Sequence, residues 1–208
     1  MNRFMFFSIL LPLVLLFPSH ASADKAPTTI AGITMGEQIS MFVDLVQMET
    51  SIVLRDQRYL REVTIRDIDG YKSGTVDFGN CSKPEQIVRI KLKYDCPDKN
   101  FYDTLLEKFK EKFGEPDQWR GDPFHVIIAW KWSFKDEKGS SISLILQHSR
   151  DEEYKWGNSV KLTNITLMEQ EQVCYDKKNQ EKVGSKETQP MCNKGKLSEK
   201  DYQRFIPQ

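Results

Sequence analysis

Histidine is scarce in this chain of 208 residues, with His20, His125 and His148 the only three. Acid–base or metal chemistry built on imidazole therefore has few positions to use. Cysteine is sparse too. The four cysteines contain no C-x-x-C pair, so a redox centre of that type is not indicated. No glycine-rich loop of the phosphate-cradling kind occurs. Ser141, Ser143 and Ser149 lie near His148 in sequence, but serine is ordinary on strands and no nucleophile-elbow pattern surrounds them. Excess charge is missing as well: 30 Lys and Arg stand against 30 Asp and Glu. Nucleic-acid binding, which wants a clustered basic surplus, is not expected. Asp67-Ile-Asp-Gly70 is a fragment of a calcium loop without its remaining ligands, and reads as a turn. The sequence calls for no metal, cofactor or catalytic set.

What is present begins at the N-terminus. Arg3 precedes an apolar run from Phe4 to Phe17, followed by Ala21-Ser22-Ala23, a small-x-small cleavage site. This three-part pattern reads as a secretory signal peptide over residues 1–23, with Asp24 the first mature residue. The run is shorter than the roughly 18 residues of a membrane span, and Pro12 interrupts it. The expected location is the periplasm or the exterior, with no membrane-spanning segment once the leader is removed.

All four cysteines, Cys81, Cys96, Cys174 and Cys192, follow the leader. An even number in an oxidising compartment suggests two disulfides. Cys174 with Cys192 is the simplest pairing, and Cys81 with Cys96 would follow by elimination. Geometry argues against the second pair. A hairpin of residues 75–79 and 87–94 would place Cys81 at its turn and Cys96 at its open end. Several residues at ~3.3 Å each would then separate them, against the ~5.5 Å between bridged Cα atoms.

Periodicity supplies the organisation. Ile39, Phe42, Val43 and Val46 are spaced as on one helix face, predicting a helix over Gly36–Met48. Alternation predicts strands near residues 60, 75 and 87. In the last of these Val88, Ile90, Leu92 and Tyr94 oppose Arg89, Lys91 and Lys93. A strand with one greasy and one charged face suits an antiparallel sheet. A second helix carries Phe101, Leu105, Phe109 and Phe113 on one face and stops at Gly114, which can take the left-handed conformation.

The strands Val126–Phe134 and Ser141–His148 then form a hairpin. Its even residues, Trp130 and Trp132 among them, share the core face if Asp136 pairs with Ser140. On this parity His125 and His148 point to opposite sides of the sheet. A third strand covers Val160–Leu167. The expected fold is α+β: tandem duplicated αβββ units over residues 24–97 and 98–168, with a helix packed on each antiparallel sheet. Residues 169–208 read as a polar, disulfide-tied tail with a short helix over Ser198–Phe205.

Ile33-Thr-Met-Gly36 before a helix, and Lys112-Phe-Gly-Glu-Pro116 with Trp119 soon after, resemble small exported bacterial αβββ-repeat proteins. These are the outer-membrane assembly lipoproteins of the SmpA/OmlA type and the domains of β-lactamase inhibitory proteins. The lipoproteins' lipidated cysteine has no counterpart here. The resemblance implies a non-catalytic, protein-binding role.

Trp119, Arg120, Tyr154 and Trp156 are the candidate partner-binding residues, because large aromatics beside charged groups in loops make good hot spots. The functional expectation is an exported binding or inhibitory module acting through loops or the solvent side of the sheet on a periplasmic or envelope protein. The alternatives are a hydrolase with a site near His148 and a structural envelope component.

Overall fold

Period-two alternation dominates the chain, and it builds one large sheet. The structure, a computed structural model, describes residues 26–150 and 157–184. Strands β1 (Thr29–Ile30) and β2 (Ile33–Thr34) form a small ribbon. They turn through Ala31 and Gly32, whose φ angles of 51° and 79° are those of a primed hairpin turn. A single 3-10 turn, Ile39–Phe42, leads into β3 (Val46–Val53), β4 (Leu60–Ile65), β5 (Tyr71–Gly79) and β6 (Ile87–Tyr94). Helix α1 (Lys99–Phe113) follows, then β7 (Gln118–Trp119), β8 (Ile127–Lys135), β9 (Ser141–Ser149), β10 (Ser159–Asn164) and helix α2 (Ile165–Gly184). Strands β3 to β10 make one eight-stranded antiparallel sheet in the order β3-β4-β5-β6-β10-β9-β8-β7. The fold is thus α+β with a large antiparallel sheet and two α-helices. No helix among the described residues is long and apolar enough to cross a membrane.

The core lies between α1 and one face of the sheet. The sheet contributes Ile90, Leu92, Trp132, Ile142, Leu144, Leu146, Val160 and Leu162, all buried. Phe101, Leu105, Phe109 and Phe113 of α1 pack against them, as their spacing predicts. Phe109 sits 5.7 Å from Trp132 and Phe113 sits 5.6 Å from Phe134, ring centre to ring centre. Each fully buried large side chain, Trp132 and Leu146 among them, contributes ~1.5–3 kcal/mol. Gly114 ends α1 with φ 78° and its carbonyl accepts the indole N–H of Trp132 at 2.8 Å, tying the helix stop to the sheet. Val126 lies outside this seam, 38% exposed, one residue before β8 begins. The hairpin register is the one parity requires: Phe134 faces Ile142, and the Asp136 N–H donates to the Ser140 carbonyl at 3.0 Å.

Three expectations are corrected. Gly36–Met48 is not a helix. Its apolar spacing spans one 3-10 turn, and from Val46 the chain pairs with Ile65 as edge strand β3. Four apolar residues at helical spacing did not outweigh the sheet edge that β4 offers. The strand expected to reach Leu167 stops at Asn164, whose side chain accepts the Leu167 N–H at 3.0 Å and caps α2. The segment read as tail from residue 169 is therefore helical to Gly184.

The disulfide expectations fail as well. Cys81 is bonded to Cys174, with Cα atoms 5.9 Å apart, so neither Cys174–Cys192 nor Cys81–Cys96 is formed. Among the described residues Cys96 is a free thiol, and it lies at the end of the β5–β6 hairpin away from Cys81, the separation that argues against their pairing. The signal peptide of residues 1–23, Tyr154, Trp156, Cys192 and the helix expected over Ser198–Phe205 lie outside the described residues.

Candidate functional site

Burying the even residues of β6 and β10 turns their odd residues to the opposite face. There Lys91 of β6 stands directly across from Lys161 of β10. The same cross-strand row continues through Ile145 and Lys131 to Gln118. In the row on one side lie Asp77, Arg89, Thr163 and Ser143, and in the row on the other Lys93, Ser159 and Gln147. Like charges directly opposite in an antiparallel pair are unfavourable, so this arrangement calls for an explanation.

Acidic neighbours occupy two of the cations. Arg89 donates to Asp77 and, at 2.7 Å, to the Gln57 side-chain oxygen. Lys91 donates to Glu62 and lies 3.3 Å from Asp77. Asp77 is fully buried, and burial pushes its carboxyl above the usual range against the pull of Arg89 and Lys91. Lys161 has no carboxylate within ion-pair distance among the described residues. Burial, then repulsion from Arg89, Lys91 and Arg120, holds its ammonium below the ordinary lysine value. A cavity of ≈ 270 Å³ opens here, lined by Lys91, Ile145, Gln147, Ser159, Val160 and Lys161.

Helix α2 closes one end of the sheet. Glu171, fully buried, accepts the backbone N–H groups of Asn80 at 3.0 Å, Cys81 at 2.6 Å and Lys83. Gly79 permits that approach, because a Cβ there would lie 2.8 Å from the carboxylate. The Cys81–Cys174 bond sits one helical turn away from Glu171. These groups anchor the helix.

The residues singled out from sequence separate. Arg120 is exposed and belongs electrostatically with Lys161. Trp119 is an edge-strand residue on the other face. It packs edge-on against Trp130 at 4.9 Å and beside His125 at 5.6 Å, partly buried. His125 is exposed in the turn before β8, with φ 54°. His148 is buried, its ring 5.4 Å from Tyr102.

The side chain of Asn158 donates to the carbonyls of Cys96 and Asp98, both at 2.8 Å. Its oxygen is left to accept from His148 Nδ1 at 2.7 Å, which fixes the ring with its proton on Nδ1. The cluster pins the start of α1 to β9. Among the described residues no group of three or more His, Cys, Asp or Glu is placed to hold a metal ion.

Sequence reasoning missed Lys161. Its alternation with Val160 and Leu162 was readable, but its neighbour Lys91 comes from β6, and that pairing is not encoded locally. It missed Glu171 too, for which only a three-dimensional contact with the β5–β6 loop gives the signal. The fold and site together define a class: an α+β protein whose antiparallel sheet packs a helix on one face and carries a cationic stretch on the other. No protein-family model, curated protein or solved structure matches the chain.

Proposed function

We propose that this chain is an exported, non-enzymatic binding or inhibitory module that holds a protein partner through the cationic face of its sheet, in the periplasm or outside the cell. The observation that carries the reading is Lys161, a partly buried ammonium facing Lys91 with no carboxylate partner among the described residues. A self-contained fold gains nothing from such a group, whereas an acidic partner surface compensates it. Arg120 and Lys131 extend the same charge toward β7. The resemblance of the Ile33–Gly36 and Lys112–Pro116 segments to exported αβββ-repeat proteins points the same way. The mirrored halves, β3-β4-β5-β6 against β10-β9-β8-β7, support descent from a duplicated unit whose first copy has no long helix.

Pull-down from envelope extract tests the reading. Wild-type protein and Trp119→Ala should capture the same partner, and Lys161→Glu should lose it. Capture undiminished by Lys161→Glu overturns the assignment of this face. One observation favours a hydrolase instead: Asn158 holds His148 in a single tautomer beside a cavity of ≈ 570 Å³ that includes Lys93, Asp98 and Ser149. A hydrolytic activity abolished by His148→Ala in a folded protein would establish that reading over the first.

A further inference from the structure

We propose that the depression between Lys91 and Lys161 is a discrete site for one oxyanion group: a carboxylate, sulfate or phosphate. The inference rests on the reading of this face as a binding surface and gives it a chemical focus. Lys91 and Lys161 are cross-strand partners, so their Cβ atoms stand ~4.5–5.5 Å apart. An anion in the depression would satisfy Lys161, and Lys91, whose ammonium reaches toward Glu62 and Asp77 on the other side of β6, adds its charge from there. Lys91 already shares its charge with Glu62 and Asp77, and Lys161 shares with no carboxylate among the described residues.

Neutral donors stand in the right place. Ser159 and Gln147 are partners across β10 and β9 and line the same cavity, offering a hydroxyl and an amide N–H₂. Ile145 and Val160 form apolar walls, which weaken competition from water and strengthen the charge interaction. At ≈ 270 Å³ the space suits a headgroup with its waters; pockets for drug-sized ligands begin at roughly 300 Å³. Arg89 and Arg120 act on Lys161 from further off and add a long-range positive field. Binding an anion here also relieves the repulsion within the row.

The experiment is an amide chemical-shift titration of the intact mature protein, at constant ionic strength, with three probes: sodium sulfate, inorganic phosphate and N-acetyl-aspartate. The expected result is saturable one-to-one binding that moves Lys91, Gln147, Ser159 and Lys161 together. Lys161→Met should weaken it by about tenfold or more, the scale of one charge-assisted hydrogen bond. Lys161→Arg should restore most of it. Lys108→Met, which removes an exposed lysine on α1, should change nothing.

Preference for sulfate or phosphate assigns the site to free or esterified oxyanions, and preference for N-acetyl-aspartate assigns it to a partner's carboxylate. Non-saturating shifts with all three probes, or equal weakening by Lys108→Met, overturn the proposal. If no small oxyanion binds while a partner is still captured through Lys161, the discrete site is wrong and the broader reading stands. If oxyanions bind and no partner is captured, the broader reading is wrong. Lys161→Gln serves as a second neutral variant should Lys161→Met lose amide dispersion.

Discussion

Removing the Cys81–Cys174 bond should cost this protein a large part of its stability, mostly through the unfolded state. The bond joins residues 93 apart in sequence. For a loop of that size the chain-entropy relation gives ~4.6 kcal/mol at 25 °C. The folded state should lose little, because Glu171 still accepts three backbone N–H groups from the loop that holds Cys81. The perturbation is Cys81→Ser with Cys174→Ser. The assay is urea unfolding, followed by tryptophan fluorescence for the core around Trp132 and by far-UV dichroism for the whole. With a slope of about 2 kcal/mol per molar urea, the midpoint should fall by about 2 M. A fall below about 0.5 M would mean that the bond does not act through the unfolded chain in this way. So would a dichroism transition that separates from the fluorescence transition in the variant, because α2 would then be held by the bond and not by Glu171.

Glu171→Gln should destabilise by about 3 kcal/mol, since an amide brings N–H groups against the donors that the carboxylate accepts. Thermal unfolding of the oxidised protein measures it. Lys161→Met should stabilise the unliganded protein by roughly 0.5 kcal/mol at neutral pH by removing a like-charge cross-strand pair. The sign with pH follows from the lowered lysine value in the folded state. Charged Lys161 opposes folding fully below its folded pKa, and the penalty disappears as pH rises from there toward the unfolded value, so wild type and variant should converge in alkaline solution. Trp132→Phe should cost about 1.5 kcal/mol, losing the hydrogen bond to the Gly114 carbonyl and part of the core volume, as read by denaturant midpoint.

The second half of the fold was legible because its signals are local. The four-residue spacing of Phe101 to Phe113 and the glycine stop at Gly114 define α1 without outside help. The Asp136-to-Ser140 turn fixes the β8–β9 register by parity alone. The first half was less legible because its elements answer to distant partners. Ile39, Phe42, Val43 and Val46 satisfy a helical period by coincidence, and the competing strand gains its hydrogen bonds from β4, which only the folded chain supplies. The segment from Glu169 looked like tail because it is polar. It is helical because Asn164 caps it and Glu171 anchors it, features that depend on where the β5–β6 loop lies. The candidate site was half visible. Arg120 was singled out beside Trp119, but the strand parity that sends their side chains to opposite faces appears only when β7 pairs with β8.

The decisive check on the cationic stretch as the contact surface is to map amide shifts on the protein as its captured partner is added. The largest changes should fall at residues 89–93, 145–147 and 159–163, with Arg120 among them. Changes gathered instead around His148 and Asn158, or along the β3 edge, with Lys91 and Lys161 unmoved, would contradict it.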